Sequence, residues 1–507
     1  MTFSKRARLP INIGTNWLSS FIGLVISFVI LPLLVENLSK GGYGIWVLIM
    51  SATKYFAMLD LGIGSSIKRY VSMYDGKNDY QSISEILSSA LTLLVGIGLI
   101  SAMIGVVIAQ KIPTIFEVPD TDLSACSLTF LIVCIGISLR FPLGMAETAL
   151  NAFQRYDITS LIDIFCEILR AVLILIFLKL GFGLLTIGLL YTSDLITRSV
   201  MEWFFLLRRK PLIRIRISLI RRDCLMLIKN YSLVSFGALI SGTIYSQIDI
   251  LLTGVLFFPR IVSFYSIAKT FISHSISVLW SINTVFIPII SKCEGANNVV
   301  EIGRIWLQSL KLCLCIGGLI FVMLFNLGGT FIDLWLGPDF ALSKECVKVL
   351  SFGILFGAIS AISTPLFFGM GKHYFVAYLS LFNIILSLPL IFALYRPFGI
   401  VGVAYSMTIA NCMTSLIRTI IACKIQRISF IAYISACFKM MLVLCSFFLF
   451  SMAFSSTIEV NSYMVLLLLF VSQLIPYFLC CYFIGIDKKD RAIVKMWLGF
   501  TPATLSF

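Results

Sequence analysis

Apolar residues run through this chain in long stretches separated by short polar ones. The stretches lie at roughly 12–35, 43–65, 83–109, 123–150, 159–180 and 182–207, then at about 230–256, 261–290, 305–328, 346–370, 374–396 and 398–423, and finally near 431–454 and 463–486. A bilayer core about 30 Å thick takes about 20 apolar residues per helical span. Backbone groups in hydrocarbon must bond within their own segment, so each stretch predicts a helix. The ten-residue alternation of a membrane β-barrel is absent. The pattern predicts an all-α polytopic membrane protein with about fourteen transmembrane helices.

Composition agrees. Of 507 residues, 59% are hydrophobic and 12% charged, and the mean hydropathy is +1.01. A soluble fold cannot hide that much apolar side chain. The net charge of +15 would suggest nucleic acid in a soluble protein. Here the basic residues sort by loop instead. Lys5, Arg6, Arg8, Lys68, Arg69, Lys77, Arg155, Lys292, Lys372, Lys424, Arg427, Lys488, Lys489 and Arg491 fall on the side that also holds both termini. Basic residues mark cytoplasmic loops, so both termini are expected in the cytoplasm. Nucleic acid is excluded as a partner. The basic start, MTFSKRARLP, leads into a run of spanning length without a small-residue cleavage site, so no signal peptide is expected. The fourteen cysteines are scattered through apolar runs and read as small hydrophobes. Trp17, Trp46, Trp203, Trp335 and Trp497 lie near span ends, as interfacial anchors do.

The chain repeats itself. YGIWVLIMSATKYF from Tyr43 ends its loop at Asp75-Gly76-Lys77-Asn78; YSIAKTFISHSI from Tyr265 ends at Glu294-Gly295-Ala296-Asn297. Leu180-Gly181-Phe182-Gly183-Leu184, then Gly188 and Tyr191, resembles Arg396-Pro397-Phe398-Gly399-Ile400, then Gly402 and Tyr405. The register is about 214 to 222 residues. Six spans per repeat is an even number, so the repeats are parallel, with a site expected between two lobes near mid-membrane. The expected organisation is an N-lobe at 1–207, a connector at 208–229, a C-lobe at 230–428, and two further helices with a tail at 429–507. The connector packs seven Lys/Arg between Arg208 and Arg222. Its alternation Ile213-Arg214-Ile215-Arg216-Ile217 predicts a segment resting on the membrane surface over anionic lipid.

Charges inside spans are costly and usually face a bundle interior or a wet cavity. Asp163, Glu167 and Arg170 share one helical face, as do Asp194, Arg198 and Glu202, and as do Arg140 and Glu147. A stripe with Asn16 marks the first span; Lys54, Asp249, Lys269 and His274 sit in others. Arg140, Lys54 and Lys269 have no acid one turn away in their own helix. Depth along the spans places Lys54, Arg140, Arg170, Lys269 and His274 furthest from water, so the middle of the membrane is expected to lean basic. A basic cavity of Lys54, Arg140, Arg170, Arg198 and Lys269 suits a phosphate or pyrophosphate, which arginine grips bidentately and lysine as a point charge. The structural alternative stays open: Arg170 can neutralise Glu167, and Arg198 can pair with Asp194.

The first span, NIGTNWLSSFIGLVISFVILPLL, followed by YGIW and by DLGIGSSIKRYVS (Asp60 to Ser72), resembles the start of bacterial polysaccharide exporters, and most nearly the O-antigen flippases of the Wzx type. These belong to the superfamily of multidrug and toxin extruders and lipid II flippases. The resemblance implies twelve spans in two lobes with two extra C-terminal spans, and no enzymatic activity. It implies movement of an undecaprenyl-pyrophosphate-linked oligosaccharide from the inner to the outer leaflet of the cytoplasmic membrane by alternating access. It implies membrane lipids, a polysaccharide polymerase and a chain-length regulator as partners. No cofactor is implied beyond coupling to a proton or sodium gradient, for which Glu147, Asp163, Glu167, Asp194 and His274 are candidate carriers, with Asn16 and Asp249 as polar cavity residues. A lipid II flippase and a multidrug/cation antiporter remain as alternatives on the same fold. An acyltransferase would be expected to show an intramembrane histidine pair, and the chain has only His274 and His373.

Overall fold

The computed structural model describes residues 5–119 and 122–485, and for 5–11, 13, 233–235, 238 and 239 the backbone alone. Trp497, Lys488, Lys489 and Arg491 lie outside the described residues. Among the described residues the regular structure is entirely helical. The order is α1 (Lys5–Ala57), α2 (Ile63–Gly76), α3 (Tyr80–Ala109), α4 (Ile112–Ile115), α5 (Leu123–Leu143), α6 (Met145–Ala152), α7 (Tyr156–Lys179), α8 (Leu184–Arg209), α9 (Arg222–Leu256), α10 (Pro259–Thr284), α11 (Phe286–Gly295), α12 (Val299–Leu336), α13 (Ala341–Ser360), α14 (Ser363–Gly369), α15 (Tyr374–Gln426), α16 (Phe430–Ser456) and α17 (Tyr463–Cys480).

By length and composition, eight of the described helices can cross a membrane, or nine if a bent pair counts as one. The expected fourteen is larger for two physical reasons. First, two of the eight are double-length. Gly14–Asp60 and Tyr374–Gln426 have 47 and 53 residues. At 1.5 Å per residue each is roughly 70–80 Å long, about twice a bilayer core. Each is interrupted by one non-helical residue, Ser39 (φ 67°, ψ 166°) and Gly399 (φ 58°, ψ −138°). Second, α7 and α8 have spanning lengths of 24 and 26 residues but carry the charge stripes that lower their hydropathy, and α9, with 35 residues, is apolar enough among the described residues only over Ile240–Leu256.

The chain divides into two compact units, Met1–Ser263 and Phe264–Phe507. The repeat appears in their backbones, in the same register as in the sequence. Asp79 caps α3 by accepting from the Ser82 amide, and Asn298 caps α12 by accepting from the Glu301 amide, 219 residues later. Asn78 and Asn297 precede these caps with φ of 56° and 52°, in the left-handed region that asparagine tolerates. Left-handed Gly181 and Gly399 lie 218 residues apart. The α5–α6 break at Gly144 recurs between α13 and α14 at Ala361 and Ile362. A fold written twice keeps its turns and caps after most side chains have diverged.

Small residues let helices of the first unit approach closely. An added Cβ on Gly136 of α5 would lie 2.7 Å from Thr192 of α8, and one on Gly188 of α8 would lie 2.7 Å from Thr129 of α5. Without a hydrophobic force between helices in lipid, such close packing carries association. Gly136→Leu is expected to destabilise the protein by about 1–3 kcal/mol through overpacking, read as a lower melting temperature in detergent. Gly96→Leu is the control, because nothing lies within 4 Å of a Cβ there. The second unit is held by an aromatic core, in which Phe321 stacks on Phe448 at 5.6 Å and the buried Trp306 donates from Nε1 to Ser363 Oγ at 3.3 Å.

The basic connector does not lie flat on its Ile–Arg alternation. Main-chain N–H groups of Arg214, Arg216 and Arg221 donate to Ser84, Ser88 and Ser89 Oγ of α3 at 3.0, 3.2 and 3.1 Å. Ile213 is buried and Ile215 packs against the same core. Lys210 pairs with Asp75 at 2.8 Å and sits 4.1 Å above the Phe153 ring. The connector is thus a strap fastened along α3.

Candidate functional site

The intramembrane charges of the first unit form a network on α5, α6, α7 and α8. At its centre is Asp194, 6% exposed. Its Oδ2 accepts from Arg170 Nη1 at 2.9 Å and from Arg198 Nε at 3.1 Å. Arg198 also donates from Nη1 to Asp163 and approaches Glu167 at 3.8 Å through Nη2. The i, i+4 spacing of Asp194 and Arg198 gives one of these pairs. The partner of Arg170 is Asp194 on the next helix rather than Glu167 on its own. Glu167 Oε2 instead faces α1, where a Cβ on Gly23 would lie 3.0 Å from it.

Arg140 is placed by a helix break. Pro142 lies inside α5 and brings no N–H to that helix's ladder. The helix closes with the Gly144 amide donating to the Arg140 carbonyl at 2.7 Å, and α6 restarts at Met145. Across this break Arg140 Nη2 donates to Glu147 Oε2 at 2.7 Å, while Nη1 donates to Ser199 Oγ of α8 at 3.2 Å.

A cavity of about 330 Å³ opens beside this pair. Lys54, Asp60, Arg140, Glu147 and Tyr191, with Thr53 and Thr148, are its polar lining. Lys54 Nζ donates to Gln247 Oε1 at 3.3 Å. Asp60 Oδ2 accepts from the Gly64 amide at 3.2 Å, after the left-handed pair Leu61 and Gly62. Two of the five donors of Arg140 are used by Glu147 and Ser199, leaving donors that can meet an anion in the cavity.

The candidate residues therefore separate. Lys54, Arg140 and Glu147 meet at the cavity. Arg170, Arg198, Asp163, Glu167 and Asp194 form the ion-pair network behind it, and neither Arg170 nor Arg198 lines the cavity. Lys269 and His274 belong to the second unit. Asp249 is buried, and its Oδ1 accepts from the Ile250 amide at 2.9 Å. Asn16 is exposed on α1. The cavity and network add Asp60, Tyr191, Ser199 and Glu202, none of which was among the candidate site residues. Glu202 lies one turn beyond Arg198, is 1% exposed, and among the described residues neither carboxylate oxygen has a hydrogen-bond partner. With it, five carboxyl groups (Glu147, Asp163, Glu167, Asp194, Glu202) accompany three guanidinium groups (Arg140, Arg170, Arg198) on α5–α8.

These features define a multi-pass helical membrane protein. Residues 11–294 match the family model described as polysaccharide biosynthesis protein, and residues 235–393 match the MatE model. The chain belongs to the polysaccharide biosynthesis protein family. It is similar to the uncharacterized membrane protein EpsK of Bacillus subtilis (strain 168), 21% identical over 336 residues that make up 66% of each chain, just under two thirds. Among solved structures it resembles the lipid II flippase MurJ in an inward closed conformation, with a TM-score of 0.71, 14% identity, and coverage of 96% of this chain and 99% of that one. It also resembles an inward-facing multidrug resistance MATE family transporter of the MOP superfamily, with a TM-score of 0.69, 14% identity, and coverage of 80% and 98%.

Proposed function

We propose that this protein is a flippase for a polyprenyl-pyrophosphate-linked oligosaccharide. It would carry the head group from the inner to the outer leaflet of the bacterial cytoplasmic membrane by alternating access, with both termini in the cytoplasm. The observation that carries the reading is the cavity holding Lys54 and Arg140, in a chain whose family is defined by polysaccharide biosynthesis. A pyrophosphate cannot enter hydrocarbon without partners for its charge. A cavity of about 330 Å³ is at the small end of ligand pockets. It suits the pyrophosphate rather than the sugars, which would be accommodated only when the transporter opens. Coupling to a proton or sodium gradient would use Glu147, Asp163, Glu167 and Asp194, with His274 in the second unit.

The test is depletion of the protein in its native cell. Lipid-linked oligosaccharide, extracted and weighed by mass spectrometry, is expected to accumulate while surface polysaccharide disappears. Unchanged levels of both would refute the proposal. The excess of carboxyl groups over guanidinium groups in the network favours a second reading, antiport of an organic cation. In that case depletion would sensitise cells to cationic drugs and leave the lipid-linked pool unaltered.

A further inference from the structure

The strap between α8 and α9 carries a charge pattern that neither its fold nor the cavity uses. Ile213 is 4% exposed, which fixes the strap's inner face. In extended backbone, alternate side chains point to opposite faces. Arg216 has φ −145° and ψ 146°, so Arg214 and Arg216 are turned outward. Both are exposed, as are Arg208, Arg209, Arg221 and Arg222. Among the described residues, Arg209, Arg214, Arg216 and Arg222 have no ion-pair partner, while Arg221 approaches Glu85 at 3.5 Å. Two large apolar side chains stand among these arginines. Leu212 is 63% exposed and Ile217 is 88% exposed.

Those two side chains decide what the surface takes. A soluble anion would satisfy the arginines and leave Leu212 and Ile217 in water. A phospholipid leaflet satisfies both at once: its phosphates meet guanidinium groups, and its glycerol and upper acyl region receives the apolar pair. The strap joins the end of α8 at Arg209 to the start of α9 at Arg222, two helices long enough to cross a bilayer, and a membrane surface is where such a connector would lie. Its three main-chain bonds to α3 hold the arginines in a fixed row, which lowers the ordering cost of binding.

We propose that residues 208–222 form a docking strip for the head groups of anionic phospholipids, with Arg214 and Arg216 as its outer contacts and Leu212 and Ile217 as its insertion points. The proposal needs only that the strap lies at a membrane surface, so it stands or falls separately from the transported substrate.

The test uses the full chain, purified in neutral detergent and titrated with phosphatidylglycerol or phosphatidylcholine. Retained lipid is counted by native mass spectrometry. Wild type is expected to retain phosphatidylglycerol over phosphatidylcholine. R214Q/R216Q is expected to lose at least fivefold of that preference with an unchanged melting temperature, because both side chains point away from the core. R304Q, an exposed arginine paired with Glu301 elsewhere on the chain, is expected to behave as wild type. Equal retention by wild type and R214Q/R216Q overturns the proposal. So does a double variant that keeps phosphatidylglycerol and loses only undecaprenyl pyrophosphate, which would assign the row to the transported lipid. A double variant that fails to fold would be replaced by L212S/I217S, for which the same loss is expected and retention equal to wild type again overturns the proposal.

Discussion

Asp194→Asn is expected to destabilise the protein by about 3–5 kcal/mol, the typical cost of breaking a buried ion pair and leaving charge without a counter-ion. Asp194 is buried and its Oδ2 serves Arg170 and Arg198 together, so one substitution weakens a cross-helix contact to α7 and a contact within α8. Asn keeps the shape and loses the charge. Arg198 retains Asp163 and the more distant Glu167, but Arg170 keeps no charged partner among those found for it. Thermal unfolding in detergent should show a clear fall in melting temperature. Asp163→Asn should fall less, on the order of 1 kcal/mol, because the Asp163 side chain is 36% exposed and water can replace part of what is lost. Equal stabilities for wild type and Asp194→Asn would mean that α7 and α8 are not joined through this carboxylate.

Arg140→Ala and Lys54→Ala are each expected to cut export of surface polysaccharide about tenfold or more while the protein remains at normal level in the membrane. A hydrogen bond to a charged group contributes about 1.5–3 kcal/mol, and 1.4 kcal/mol is tenfold in an equilibrium. Arg140→Lys separates charge from geometry. It keeps a cation beside Glu147 and loses the planar fork, so an intermediate activity is expected if a pyrophosphate is gripped bidentately. Export is read by surface polysaccharide on gels and protein level by immunoblot. Normal export by both alanine variants would remove the cavity from the mechanism.

Much of this arrangement was legible in the sequence. Helical spacing placed Asp163, Glu167 and Arg170 on one face and Asp194, Arg198 and Glu202 on another, and those faces do meet. The repeat register of about 214 to 222 residues reappears as paired caps and left-handed residues. What spacing could not supply was the partner across helices. Arg170 goes to Asp194 because α7 and α8 are neighbours, a fact of tertiary packing. Arg140 looked unpaired because no acid lies one turn away; the break at Gly144 brings it to Glu147, seven residues on. Pro142 followed by Gly144 was the available signal. Asp60 was missed as a cavity residue, because the turn through left-handed Leu61 and Gly62 that brings its carboxylate to the Gly64 amide is not written in helical spacing. The strap's fastening to α3 was not legible, because an alternating segment looks the same whether its apolar face meets lipid or another helix.

The break between α5 and α6 recurs between α13 and α14, yet the two halves do not carry the same electrical load. Arg140, Glu147, Asp163, Glu167, Arg170, Asp194, Arg198 and Glu202 all lie on α5–α8. The matching helices of the second unit place Lys344, Glu345 and Lys348 in the first turns of α13, and Arg396, Arg418 and Lys424 on α15. A membrane potential does work only on charge that moves through it, about 2.3 kcal/mol per elementary charge per 100 mV. Paired charges that move together cancel, so a displacement of the first unit's helices would couple to the resting voltage only through the carboxyl groups left in excess over the guanidinium groups. Duplication built two similar frames, and the first of them gathered opposed charges whose pairing any movement must carry along or break.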